Sequence, residues 1–188
     1  MSGEPSLSLD MMPPFLLLVD VQTRILRGIP NAPSLLQRAC FLVDAAHLLD
    51  LPIAATAQVP EKLGPLDEQL THRIASLGEP IPKQAFSAAP SIQSLLQPGQ
   101  PIWVCGIETH ICLRQTVLDL IQAGHSCKVI ADAAGARGRL DHDLALQELS
   151  VAGATVSTAE TVVYEQCRTA AHPRFRELTA LVRELGEA

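Results

Sequence analysis

Three side chains in this sequence combine a reactive type with a position that suits reaction. Asp20 ends the apolar run FLLLVD, Lys83 lies within IPKQAFSA, and Cys112 lies within CGIETHICLRQT. The cysteine segment starts as a hydrophobic strand and ends as a helix. Thr109 is the expected N-cap, which makes His110 the first helical residue and Cys112 the third. There a thiol meets unpaired backbone N–H groups and the positive end of the helix dipole, both of which favour the nucleophilic thiolate. The same N–H groups can hold an oxyanion. The plain alternative is a buried thiol that packs as a small hydrophobe. Asp20 ends a buried strand, where a carboxylate is costly unless paired; it is a general base for a thiol or a loop cap. Lys83 follows Pro80 and Pro82 in a mostly apolar stretch. Aimed inward it would lower the pKa of a nearby thiol and balance Asp20; aimed outward it is a solvated surface lysine.

Other residues carry weaker signals. Asp141, His142 and Asp143 suggest a metal group, but read better as an acidic first helical turn. Arg137 and Arg139 follow a strand end and could bind a substrate carboxylate, hold a loop or meet a subunit. His110 beside the cysteine touches substrate or, the better reading, caps or packs, and His72 reads as a surface helix residue. Phe86 lines a pocket or belongs to the core. The five cysteines, Cys40, Cys105, Cys112, Cys127 and Cys167, form no C-x-x-C pair, which argues against zinc ribbons and dithiol redox motifs.

The elements that must position these groups follow from periodicity. Continuous apolar runs at 15–22, 51–58, 101–107 and 126–135 read as strands buried on both faces, and 154–158 as a shorter one. Helical patterns cover 34–49, 66–78, 109–124 and 139–153, with Pro33 near the first start and Gly124 and Gly153 as stops. Thr158 or Thr161 can cap a further helix, and 173–185 forms the last one. VPEKLGP reads as a loop. Alternating strands and helices predict a three-layer α/β/α domain around a mostly parallel sheet, with ligands beyond the strand carboxyl ends. Residues 13–188 form one domain after a loose N-terminus of residues 1–12.

Composition narrows the function classes. The 188 residues are 47% hydrophobic and 18% charged, which suits a folded domain with a substantial core. The net charge of −6 and the lack of a basic cluster argue against nucleic-acid binding. No run reaches membrane-spanning length, and the acidic start lacks the features of a signal or transit peptide, so a cytoplasmic protein is expected. A chain so apolar on average should cover surface by forming a homo-oligomer, a dimer or tetramer.

The acid in LLLVDVQ, the lysine in PKQAFSA and the cysteine in GIETHICLRQTVLDL, together with DAAGARGRLDHDLALQELSVAGATVSTAE, resemble the isochorismatase-like cysteine-hydrolase superfamily from Phe15 onward. Within it the chain is most similar to the isochorismatase domain-containing proteins. The resemblance implies a six-stranded parallel sheet and an Asp–Lys–Cys triad. Asp20 would be the proton acceptor, Lys83 its electrostatic partner and Cys112 the nucleophile. It also implies a cis peptide between Ile107 and Glu108, with the N–H groups of Glu108 and Cys112 as oxyanion donors. Gln22, Gln58 and Phe86 are the candidate substrate contacts. The implied activity is hydrolysis of a small amide or related C–N compound through a thioester, without a cofactor. Metal-dependent relatives carry an Asp-x-His pair and a further His after the second strand. Here that region offers Gln58, and its only histidine is His72, so no metal is expected. A non-catalytic binding or assembly protein on the same fold is one alternative. Vinyl-ether hydrolysis, which needs the acid and not the cysteine, is the other.

Overall fold

The computed structural model describes residues 12–186, so the N-terminus expected to be loose falls outside the described residues except for Met12. The chain begins with β1 (Phe15–Val19), then α1 (Thr23–Leu26), α2 (Ala32–Leu48), β2 (Ile53–Gln58), α3 (Pro60–Leu63) and α4 (Glu68–Ile74). It continues with β3 (Ile81–Lys83), α5 (Ala89–Ile92), β4 (Ile102–Ile107), α6 (Arg114–Gln122) and β5 (Cys127–Gly135). It closes with α7 (Arg139–Val151), β6 (Thr155–Ser157), α8 (Ala159–Cys167) and α9 (Phe175–Gly186).

The six strands form one sheet in the order β3-β2-β1-β4-β5-β6, and every pairing is parallel. All five residues of β1 are buried, because helices cover both faces of the sheet. The strand period of two sorts its side chains between two cores. Leu16 and Leu18 pack with α2, α4, α8 and α9, whereas Phe15, Leu17 and Val19 pack with α5, α6 and the end of α7. The fold is the expected three-layer α/β/α domain.

Strand order reverses between β1 and β4, so the loops after these two strands diverge to opposite faces and leave a crevice between them. Gly106 lets the two strands meet there. It pairs with Val19 at a φ of 123°, and a Cβ on it would stand 2.0 Å from the Val19 carbonyl oxygen.

Several local expectations change. The strand β3 is too short and too proline-interrupted to show as a periodic run. Pro82 is tolerated because β3 is the sheet edge, where a missing N–H breaks no ladder on its open side. VPEKLGP contains the helix α3, started by Pro60. The helix expected at 66–78 ends at Ile74 and passes into a 3₁₀ turn, Ala75–Leu77. Thr158, not Thr161, caps α8: its hydroxyl accepts the Thr161 N–H.

Candidate active site

The carboxyl ends of four adjacent strands deliver the site. Asp20 follows β1, Gln58 ends β2, Lys83 ends β3, and Glu108 and Cys112 follow β4. Asp20 turns sharply, with a φ of 53°, in the left-handed region that Asp tolerates better than most residues. Val59, just past β2, has a φ of 39°, which is costly for a β-branched side chain. Two of the four non-glycine residues with positive φ among the described residues thus lie on the rim of the crevice.

Asp20 and Lys83 are both buried, and Lys83 Nζ lies 2.7 Å from Asp20 Oδ2. The ammonium also donates to Gln58 Oε1 at 2.6 Å, to the Phe86 carbonyl at 2.8 Å and to the Ala85 carbonyl at 3.1 Å. Asp20 Oδ1 accepts from Thr56 Oγ1 at 2.8 Å. The partners of this pair come from β2 and from the segment just after β3. The lysine therefore points into the protein, not to solvent.

Cys112 is buried beneath a cavity of ≈ 350 Å³ that it lines together with Gln58, Leu63, Phe86, Ile107, Glu108 and the arginines Arg24 and Arg137. Its Sγ lies 4.0 Å from Gln58 Oε1. Burial first, and then the charge and hydrogen bonding of Asp20, push the thiol up to about 12 from 9.0, while Lys83 opposes them. The thiolate expected from the helix start is therefore not the resting form: the group rests as a thiol beside a carboxylate.

The helix start itself differs from expectation. Thr109 is not an N-cap; its hydroxyl is 2.8 Å from His142 Nδ1 on α7. Glu108 occupies the cap position in extended backbone without a side-chain cap, and Thr109–Leu113 form a wide π turn before α6. The Leu113 N–H reaches back to the Glu108 carbonyl at 3.3 Å. Such single wide turns are frequent at functional sites. Thr116 fastens this turn to the lysine segment: its hydroxyl donates to the Cys112 carbonyl at 2.6 Å and accepts the Ala88 N–H at 2.8 Å. The peptide between Ile107 and Glu108 is cis. Among the described residues, the Glu108 N–H meets no backbone acceptor.

The other named residues separate clearly. Gln22, a candidate substrate contact, is fully buried and does not line the cavity; its amide bridges the Gln58 and Gly64 backbones. Gln58 lines the cavity, but its Oε1 holds Lys83 and its Nε2 donates to the Gln84 carbonyl. Phe86 is not core: it is 52% exposed, on the cavity lip. Arg137 donates through its backbone N–H and Nε to the carboxylate of buried Glu108 at 3.0–3.1 Å. Arg139 points elsewhere, 3.5 Å from Asp143. His72 is exposed, 4.0 Å from Glu68 on the same helix. His110 Nδ1 is buried and has no partner among the described residues. Among the described residues, no three His, Cys, Asp or Glu side chains are grouped to hold a metal ion. None of the described helices is long and apolar enough to cross a membrane.

Sequence reasoning missed Thr56, Thr116 and Arg24. A hydroxyl in the buried run IAATAQ was a usable signal for Thr56. Nothing in the spacing marked Thr116 or Arg24.

A doubly wound, all-parallel six-stranded sheet covered by helices on both faces defines the class of fold. Residues 14–161 match the Isochorismatase domain, and the chain belongs to that family. Within it, the chain is 34% identical over 172 residues to isochorismatase domain-containing protein 2A of Mus musculus, covering 90% of this chain and 82% of that one. Two solved structures share the fold. The MAR1 ribonuclease from Caenorhabditis elegans superposes with a TM-score of 0.88 at 29% identity, over 92% of this chain and 91% of that one. The YcaC gene product from Escherichia coli, described as an octameric hydrolase of unknown specificity, gives 0.76 at 22% identity, over 97% of this chain and all (100%) of that one.

Proposed function

We propose that the protein is a cysteine hydrolase of a small amide or related C–N compound, acting through a thioester on Cys112. One observation carries this: a cavity-lining thiol shares its surroundings with a buried Asp20–Lys83 ion pair. A resting thiol needs a base at the moment of attack, and Asp20, whose charge and hydrogen bonding raise that thiol, is the carboxylate that shares its surroundings. As Sγ bonds to the substrate carbonyl carbon, Asp20 takes the thiol proton. Lys83 keeps the site near neutral by offsetting the carboxylate before the transfer. The carbonyl oxygen becomes an oxyanion facing the N–H groups of Glu108 and Cys112. Collapse breaks the C–N bond, and the proton held on Asp20 goes to the departing nitrogen. Water then attacks the thioester with Asp20 again as base, releasing the acid and restoring the thiol.

The test is intact-mass spectrometry of the wild type mixed with a panel of small amides and quenched within milliseconds to seconds. An acyl adduct on Cys112, absent from Cys112→Ala, supports the reading. Hydrolysis retained by Cys112→Ala sinks it in favour of acid-driven vinyl-ether or other chemistry. A protein that binds panel members but never acquires an adduct is the binding-protein alternative. The name of the C. elegans neighbour raises RNA hydrolysis. Arg24 and Arg137 at the cavity would serve that reading, but a net charge of −6 and a space of ≈ 350 Å³ do not. RNA cleavage that survives Cys112→Ala would favour it.

A further inference from the structure

The turn that carries Cys112 is gripped at both ends by one helix. At its first residue, the buried Thr109 hydroxyl lies 2.8 Å from His142 Nδ1. Just past its last, Arg114 Nε donates to Glu148 Oε2 at 2.7 Å. His142 and Glu148 both belong to α7, and Leu149 of the same helix shares a core cluster with Leu113 and Cys112. The Arg114–Glu148 pair is exposed to solvent and contributes little. The Thr109–His142 contact is therefore the grip that counts.

A hydroxyl shut away from water needs an acceptor for its proton. Among the described residues the Thr109 hydroxyl meets no other side chain, so its O–H donates to Nδ1, and the ring carries its own proton on Nε2. His142 also lines a cavity of ≈ 400 Å³ with Asn31, Arg139 and Asp143, through which a proton from solvent can reach the ring. A ring protonated on both nitrogens can only donate. Nδ1 would then turn an N–H toward a hydroxyl whose own proton has lost its acceptor. Burial holds this histidine below its ordinary 6.5; Asp143 opposes that and Arg139 adds to it. Among the described residues the other walls of the cavity, Pro30, Asn31, Gly135 and Ala136, carry no charge. The carboxylate next to Thr109, that of Glu108, is held by Arg137.

We infer that His142 is a positioning residue for the proposed reaction: its neutral ring, through Thr109, holds the turn that presents Cys112, and protonation of the ring releases that turn. This rests on the cysteine-hydrolase reading for what the turn is held to do, and adds a residue of another helix on which the reaction depends. The neutral ring is the form that accepts, so the order it lends is complete above pH 6.5 and is lost as pH falls below that value. The turn has its own reporters, since the Glu108 carbonyl accepts both the Ile111 and the Leu113 N–H.

The test is amide exchange of the Ile111 and Leu113 N–H groups, followed by NMR and expressed as protection over the intrinsic rate at each pH. In the wild type that protection should fall about tenfold between about pH 7.5 and about pH 5, the scale of one buried hydrogen bond, while the N–H groups of β1 keep theirs. His142→Asn, whose Oδ1 can stand in for Nδ1 and does not titrate, should keep the protection at both ends of the range. His142→Leu should lack it at both. Cys112 supplies a second readout. As the turn opens, the burial that raises its thiol is lifted. Its alkylation rate relative to glutathione should then rise about threefold or more at the lower pH, in the wild type and not in His142→Asn. The wild-type profile decides by itself should His142→Leu fail to fold. Wild-type protection that is flat across the range, or an asparagine variant that loses it as the wild type does, would overturn the inference. Protection that follows pH as expected, in a protein whose Cys112 never takes an acyl group, would leave the latch standing and sink the hydrolase reading.

Discussion

Lys83 Nζ stands 2.7 Å from Asp20 Oδ2, so this oxygen of the buried carboxylate is held by the buried ammonium. The other oxygen is fixed by Thr56. The two oxygens of one buried carboxylate therefore differ in partner, one meeting a hydroxyl and the other an ammonium.

Because both charges are buried, removing one leaves the other uncompensated. Asp20→Asn and Lys83→Met should each lower stability by about 3–5 kcal/mol and abolish turnover. The double variant should lose less than the sum of the two, since no lone charge remains. Urea unfolding of all four proteins checks this. Strict additivity would mean that the two residues do not act as a pair.

The state of the thiol has a consequence at alkaline pH. Cys112 is pushed up to about 12 in the folded protein from an ordinary 9.0, so the unfolded chain releases that proton first. The stability linked to this group is complete below pH 9.0 and is lost as pH rises toward about 12. Burial holds Cys40 at about 11 and Cys127 at about 12, and these add to the same loss. Cys112→Ala should abolish hydrolysis, keep the fold, and flatten part of the decline in urea midpoint across that range. A decline as steep as that of the wild type would mean that Cys112 is not shifted.

Thr116 joins the lysine segment to the cysteine turn. Thr116→Val keeps the shape and leaves the buried Ala88 N–H unmet, at about 1–3 kcal/mol. Turnover should fall, and Cys112 alkylation should change with it. A change in stability with unaltered alkylation would limit Thr116 to structure.

Gly106→Ala should be among the most damaging single-carbon additions. The new Cβ meets Val19 backbone atoms that cannot yield, at a φ of 123° that alanine avoids. Strain and overpacking together predict a loss of about 2–6 kcal/mol, with the turn after β4 displaced. Thermal unfolding and activity would report both.

On surface chemistry, α7 exposes Leu140, Leu144 and Val151, at 70%, 54% and 89%, on positions spaced to share one helix face. Together with the apolar composition, this predicts a homo-oligomer. Light scattering at micromolar concentration should give a multiple of the 20.2 kDa chain, and Leu140→Ser with Leu144→Ser should reduce it. A wild-type monomer would refute the prediction.

The layers, the parallel sheet and the strand-end position of Asp20 were legible because buried parallel strands are written as continuous apolar runs. Lys83 was legible as a candidate, but not its strand: three residues with a central proline carry no period. The protonation of Cys112 was hidden because it depends on depth and on Asp20, and spacing records neither. The role of Thr109 was misjudged for a related reason. A threonine before a helix signals a cap locally, but His142, 33 residues away, takes the hydroxyl instead. Gln22 was a candidate substrate contact, whereas its amide is engaged by the backbone at the end of β2.

The four strand ends that build the site bear on how the chain reaches its native state. Asp20 and Thr56 are 36 residues apart, Cys112 and Gln58 are 54 apart, and parallel pairing allows no hairpin shortcut between neighbouring strands. Contacts of such long range form slowly and late. The pocket cannot assemble on any fragment that lacks β4, however well β1 to β3 associate. During refolding, the recovery of Cys112 chemistry would therefore trail the return of helical signal, making the site a clock for the closing of the sheet.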